Sequence, residues 1–336
     1  MQLRELLNDR GVLLADGATG TNFFNMGLQS GDAPELWNQD EPDRVLALHT
    51  AFVEAGADII LTNTFGANAR RLMLHDAQDR VREINIAAAR LARRAGESVD
   101  RPVIVAGSVG PTGDLFAPLG PLTEEEAVVV FAEQIAGLKE GGADVAWIET
   151  MSSEEEIRAA TKAAREAGMD YVFTASFDTA GRTMMGVSPS RLPGMAGEME
   201  PAPVAVGANC GVGATDLLFS ILDMTDGDGG PRGELAFIAK ANCGVPRVSG
   251  DKVVYTGTPE TMAAYVRMAV DAGVRIIGGC CGTSPDHLAA MRRAMDDHRR
   301  GERPTLNDIV AATGEMVNKP KQAGETPARP RRGRRR

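Results

Sequence analysis

Aromatic residues are scarce: they make up 4% of the 336 residues, and Trp37, Trp147, Tyr171, Tyr255 and Tyr265 are the only tryptophans and tyrosines. A recognition surface built mainly on aromatic faces is thereby excluded. Long apolar runs are missing too. No stretch reaches the roughly eighteen uninterrupted apolar residues of a membrane span. The opening MQLRELLNDRGVLLADG has no charged segment followed by a long apolar run, so no secretory signal is read there. These absences predict a soluble, cytoplasmic protein with no membrane contact. Cysteine is confined to Cys210, Cys243, Cys280 and Cys281. In the cytoplasm structural disulfides are disfavoured, and metal or catalytic roles gain weight. Adjacent cysteines such as Cys280 and Cys281 would also make a strained pair.

Positive charge is short everywhere except at the C-terminal end. The net charge is −10, yet residues 319–336 carry +7, leaving −17 on the first 318 residues. A body that acidic does not invite nucleic acid, and none is expected as a partner. The segment KPKQAGETPARPRRGRRR is rich in Pro, Gly and Arg and buries too little apolar surface to fold alone. It reads as a disordered extension, or as an electrostatic tether to RNA or an acidic partner. The chain divides into a barrel over 1–305, an extension over 306–318 and this tail over 319–336.

What the chain does contain is a repeated phrase: EAGADIILTN from Glu54, EGGADVAWIET from Glu140, EAGMDYVFTAS from Glu166 and DAGVRIIGGCC from Asp271. In each, an amphipathic helical stretch ends at a Gly, which supplies the left-handed cap conformation without steric cost. A short apolar run follows, too short for a helix, and reads as a strand buried on both faces. Strands are expected near 12–15, 59–62, 103–107, 145–149, 171–176, 204–209, 235–239 and 276–279. Helices are expected between them, among others at 43–55, 78–95, 123–140, 153–167 and 259–272. Eight strand–helix units predict an α/β fold, a single (β/α)8 TIM barrel. A doubly wound open sheet is the alternative, but DGATGT after the first strand is not a GxGxxG phosphate loop.

Barrel active sites sit at the C-terminal mouth. The strand ends there carry Asp16, Asn63 with Thr64, Ser108, Glu149, Asp178, Asn209 with Cys210, Asn242 with Cys243, and Cys280 with Cys281. Cys210 closes strand six in GANCGVG, and Cys280 and Cys281 close strand eight in GGCCGTSP. Three thiolates from neighbouring strand ends can converge on one tetrahedral metal and leave its fourth position open, the mark of a catalytic rather than a structural zinc site. Soft sulfur donors favour zinc over magnesium or calcium. Such an anionic centre activates water poorly. It suits the alkylation of a substrate thiol, which loses its proton there yet stays nucleophilic.

LLADGATGTN (13–22), LTNTFGAN (61–68), GSVGPTG (107–113), WIETM (147–151), GRTMMG (181–186), GANCG (207–211) and GGCCGT (278–283) together resemble the homocysteine S-methyltransferase family, from about residue 11 to 300. That family includes betaine–homocysteine methyltransferase, S-methylmethionine-dependent enzymes and the homocysteine-binding module of cobalamin-dependent methionine synthase. The resemblance implies a methyltransferase in which Cys210, Cys280 and Cys281 hold one zinc ion and homocysteine sulfur takes the open position, giving methionine. It implies that Asp16 and Glu149 hold the substrate ammonium, with Gly17, Ala18, Thr64 and Asn209 beside it. Cys243 departs from the pattern, which more often has Ala there. It is read as a small residue in place of Ala, or as a fourth thiol closing the zinc site.

The methyl donor is less legible. A quaternary ammonium such as glycine betaine needs aromatic faces, for which Trp37 is the one good candidate, with Asn68 near the donor side. GPTG, NTFGAN and GRTMMG resemble more the methionine-synthase module, whose methyl comes from methylcobalamin. No cobalamin domain lies in these 336 residues, so that route requires docking a partner corrinoid protein. The sequence leans toward the corrinoid route and keeps betaine as the alternative. A reading from another class is a non-enzymatic zinc-binding scaffold, whose metal coordination would not change when homocysteine is added.

Overall fold

The structure is a computed structural model and describes residues 2–226, 235–249 and 252–318. The Arg-rich segment 319–336 lies outside the described residues. Ten strands are described: β1 (Leu13–Leu14), β2 (Ile59–Leu61), β3 (Ile104–Val109), β4 (Val145–Met151), β5 (Tyr171–Ala175), β6 (Ala205–Cys210), β7 (Ala236–Ala241), β8 (Pro246–Ser249), β9 (Lys252–Tyr255) and β10 (Ile276–Gly279). Eight of them form one parallel sheet in the order β1–β10–β7–β6–β5–β4–β3–β2. A parallel bridge between Ala15 and Ile59 joins the two ends of that order. The Asp16 amide donates to the Ile59 carbonyl at 3.0 Å and the Asp58 amide to that of Leu14 at 2.7 Å. The sheet is therefore closed into the expected (β/α)8 barrel. The remaining two strands, β8 and β9, form an antiparallel hairpin at the end of the loop after β7, which the sequence reading did not anticipate.

Alternation along the strands divides the core in two. Leu13, Ala15, Ile59, Leu61, Ile104, Ala106, Val145, Trp147, Val172, Ala205, Ala236, Ile238 and Ile276 fill the barrel interior. The intervening residues pack outward against the helices. Both faces are apolar, which is why the strands read as continuous hydrophobic runs. The N-terminal helix Leu3–Arg10 closes the lower end by inserting Leu3, Leu6 and Leu7 into the interior cluster. Arg275 fastens it, donating to the carbonyls of Leu7 at 2.8 Å and Gly11 at 2.9 Å.

The surrounding helices begin where the sequence supplies caps. Thr123, Ser153 and Thr258 each accept from the backbone three residues on, satisfying one of the amides left free at a helix start. The helix Leu306–Thr313 buries Ile309, and the Thr215 hydroxyl meets that of Thr313 at 2.8 Å. Asp216 accepts from the amides of Val317 and Asn318 at 3.0 and 2.7 Å. Residues 306–318 thus lie against the barrel body.

Candidate metal centre and substrate pocket

The sulfur atoms of Cys210, Cys280 and Cys281 lie within 4.8 Å of one another at the ends of β6 and β10. They are the cluster of metal-ligating side chains found among the described residues. A tetrahedral zinc with bonds of about 2.3 Å needs sulfurs about 3.8 Å apart, a separation compatible with three thiols this close. All three side chains are partly exposed, which leaves an approach from the mouth. Cys210 is pushed well above the ordinary thiol range, chiefly through its hydrogen bond to Cys280. Cys281 is pushed up to about 11, chiefly through its hydrogen bond to Cys210. Crowding favours the protonated thiols, and a zinc ion bound there would favour the thiolates instead.

Cys243 is not part of the cluster. It is 1% exposed and packs in the outer apolar core, with burial pushing its thiol up to about 11. Its backbone is used instead, the amide donating to the Cys281 carbonyl at 2.8 Å. Of the two readings of Cys243, the structure supports the small core residue. Its neighbour Asn242 donates to the Gly211 carbonyl at 2.5 Å, while the Asn242 Oδ1 is buried without a hydrogen-bond partner.

Two of the four non-glycine residues with positive φ among the described residues lie here. Cys210 has φ +63° and Thr150 has φ +62°, a region that non-glycine residues enter only when their surroundings enforce it. The enforcing group is Asn209. Its Oδ1 accepts from the Thr150 amide at 2.9 Å and from the Thr174 hydroxyl at 2.6 Å, and its Nδ2 donates to the Thr150 hydroxyl at 2.7 Å. One buried amide therefore holds together the turn after Glu149 and the turn carrying Cys210.

Below the thiols the topmost interior layer is polar. Glu149 on β4 accepts from the Ser108 hydroxyl on β3 at 2.6 Å. Asp16, after β1, accepts from the Leu61 amide at 2.7 Å through Oδ2 and from the Lys240 ammonium at 2.8 Å through Oδ1. Lys240 is 2% exposed and stands 5.6 Å above the Trp147 ring centroid. Burial pushes the Asp16 and Glu149 carboxyls up, and the charge of Lys240 opposes this at both. Burial would lower Lys240 itself, but Asp16 and then Glu149 outweigh it, so the ammonium is held in its charged form.

Sequence reasoning missed Lys240. The signal was there: AFIAKA is a strand buried on both faces, and alternation from Ala236 and Ile238 points Lys240 into the barrel. A lysine in that position demands a buried partner.

The other expected residues fall into two groups. Gly17 and Ala18 line the mouth beside Thr283: the Ala18 amide donates to its carbonyl at 3.1 Å. A Cβ on Gly17 would meet that carbonyl at 2.6 Å and the Phe52 ring at 2.8 Å, so only glycine fits. Thr64 is wholly buried, its hydroxyl donating to the Ser108 carbonyl at 2.7 Å. Asn68 caps the helix Ala69–Leu72, accepting from the Arg71 amide at 3.0 Å. Trp37 packs against Phe23 at 5.1 Å, and the Arg44 guanidinium lies 5.1 Å from its ring centroid. Asp178, in the strand-end ring of the sequence, is exposed. A cavity of about 690 Å³ lined by Arg4, Ser190, Pro193, Glu198, Pro201 and Leu235 among others contains none of these groups.

A family model described as homocysteine S-methyltransferase matches residues 13–295. The methionine synthases of Mycobacterium leprae and Mycobacterium tuberculosis are each 29% identical over 92% of this chain. The chain spans 27% of the length of either relative. Among solved structures, the homocysteine methyltransferase MmuM from Escherichia coli, in its metallated form, superposes with a TM-score of 0.71 at 23% identity, over 87% of this chain and 99% of that one. That likeness is one of fold: the same barrel. Taken with the converging thiols and the buried carboxylates, the match over residues 13–295 places this chain in the homocysteine S-methyltransferase family, and it is a methyltransferase.

Proposed function

We propose that the chain is a zinc-dependent methyltransferase that forms methionine from homocysteine, with Cys210, Cys280 and Cys281 as the zinc ligands. The observation that carries this is the convergence of three partly exposed thiols within 4.8 Å, while the fourth cysteine is packed away in the core. Zinc held there supplies one thing, a substrate thiol that stays deprotonated and nucleophilic at neutral pH.

The chain's own residues supply the rest. Glu149, fixed by Ser108, faces the substrate ammonium with a buried carboxylate. Asp16 and Lys240 form the charged floor beneath it. Gly17 and Ala18 give the substrate backbone a close approach, and Thr64 and Asn209 brace the pocket through their hydrogen bonds to strand ends. Holding the sulfur and the donor in line is the main contribution to rate. The sulfur lone pair forms the new bond to the methyl carbon, and the donor departs with the electron pair of the bond that breaks.

The donor favoured by this reading is a methylcobalamin carried by a partner corrinoid protein. The GPTG, NTFGAN and GRTMMG segments and the methionine synthase relatives support it. The Trp37 ring already has an arginine over it, which makes it a poor seat for the quaternary ammonium of betaine. The test is methionine production by the zinc-loaded protein from homocysteine, with methylcobalamin or betaine as sole donor. Methionine from methylcobalamin alone is expected. Methionine from betaine would overturn the donor assignment and leave the acceptor intact.

A further inference from the structure

Two buried carboxylates, Asp16 and Glu149, share the upper barrel interior with a buried ammonium, that of Lys240, whose charge acts on both. Lys240 lies in β7, in register with Asn209 of β6 and Gly278 of β10. Its stem can enter the interior because Gly278 has no side chain: a Cβ there would meet the Lys240 Cγ at 3.0 Å. Its ammonium binds Asp16 at 2.8 Å with both side chains almost wholly buried. Asp16 therefore has one oxygen on Lys240 and the other on the Leu61 amide. Glu149 has only the neutral Ser108 hydroxyl as its direct partner. With Asp16 paired to Lys240, Glu149 is the carboxylate of the two without a direct cationic partner.

We propose that Lys240 is a positioning residue that determines substrate specificity: by neutralising Asp16 it leaves Glu149 as the one unmatched carboxylate, so the pocket selects a thiol bearing a single ammonium group. This inference rests on the proposal that the substrate is homocysteine. Two uncompensated carboxylates at this depth would favour a more cationic ligand and repel the substrate's own carboxylate. With Lys240 in place, a zwitterion is matched: its ammonium meets Glu149 and its carboxylate meets no excess of negative charge.

The test compares two thiol probes on the zinc-loaded full chain by calorimetry. One is 3-mercaptopropylamine, which has the ammonium without the carboxylate, and the other is 4-mercaptobutyrate, which has the reverse. Lys240→Met keeps the length and removes the charge. It is expected to shift the affinity ratio toward the amine by about tenfold or more. Asp16→Asn should shift it toward the acid. The double variant Lys240→Met/Asp16→Asn restores one negative charge, so it should return to the wild-type ratio; Lys240→Gln, neutral but still able to donate to Asp16, carries the test if Lys240→Met does not fold and should shift the ratio the same way. A Lys240 that merely props Asp16 in place would weaken both probes together, and an unchanged ratio overturns the proposal. If the wild type does not bind homocysteine at all, the functional reading fails instead. Homocysteine binding with an unchanged probe ratio removes only the role of Lys240.

Discussion

Substitution separates the three clustered thiols from the fourth, Cys243, in the outer core. Cys281→Ser replaces a soft thiolate donor with a hydroxyl, and the protein should lose most of its zinc and its turnover. Cys243→Ala should keep one zinc per chain, since Cys243 lies in the outer core and outside the cluster. Metal analysis of the two purified variants distinguishes them, and loss of zinc from Cys243→Ala would contradict the assignment. His49 offers a second test at this scale. It is 1% exposed, its Nε2 has no partner, and burial pulls it down to about 4. The unfolded chain, with an ordinary imidazole near 6.5, binds more protons between those values. Stability is therefore intact above about pH 6.5 and falls as pH drops toward 4, by about 3 kcal/mol in all. Asp16, Glu35, Glu149 and Glu156 are shifted up by burial and act in the opposite sense, losing their contribution as pH rises through their raised values. The measurement is thus a difference: urea denaturation of wild type and His49→Leu at pH 7 and pH 5. The wild type should lose more stability than the variant, and parallel losses would contradict the burial argument.

At the scale of elements, the barrel depends on how its ends are tied. Asp58, just before β2, is 2% exposed and accepts from the Leu14 amide at 2.9 Å. It also pairs with Arg10 of the N-terminal helix, with Arg292 of the helix Pro285–Asp297 at 3.1 Å, and with Arg101 at 3.7 Å. One carboxylate thus joins the lower plug, the first two strands and the last barrel helix. Asp58→Asn removes the counter-charge shared by Arg10, Arg101 and Arg292, of which Arg292 keeps Asp296, and should cost about 3 kcal/mol of stability in denaturant unfolding. Zinc content should be unchanged, because the thiols lie at the other end of the barrel. A variant with wild-type stability would show that the arginines are satisfied by solvent.

The strands were legible for a physical reason. Most of their residues are apolar on both faces, β2, β4, β5 and β10 each follow a helix closed by a glycine of positive φ, and all eight expected runs overlap observed strands. The expected helices at 43–55, 123–140, 153–167 and 259–272 differ from the observed ones by a residue at their ends. The helix expected from 78 begins at Val81, after a short 3₁₀ turn over Gln78–Arg80. The β8–β9 hairpin escaped notice because its strands are four residues each and carry no apolar alternation strong enough to announce them. The thiols were legible because three cysteines fell at strand ends in Gly-rich frames. The bracing by Asn209 was not, nor was the pairing of Lys240 with Asp16, since both depend on partners 30 or more residues away in sequence, although alternation alone points Lys240 inward.

For the whole molecule, function follows from closure. A closed sheet brings β6 and β10, some 70 residues apart in sequence, to either side of β7, and so assembles a three-sulfur site that no local segment contains. The same closure stacks Asp16, Glu149 and Lys240 beneath that site and sets the apolar interior below them. No helix among the described residues is long and apolar enough to cross a membrane. On the proposed function the three-sulfur centre receives the substrate's own sulfur. X-ray absorption at the zinc edge, recorded on the loaded protein before and after homocysteine, reads this out. Three protein sulfurs are expected before addition and one further sulfur after it. An unchanged sulfur count at saturating homocysteine would contradict it and would leave a zinc-binding scaffold in its place.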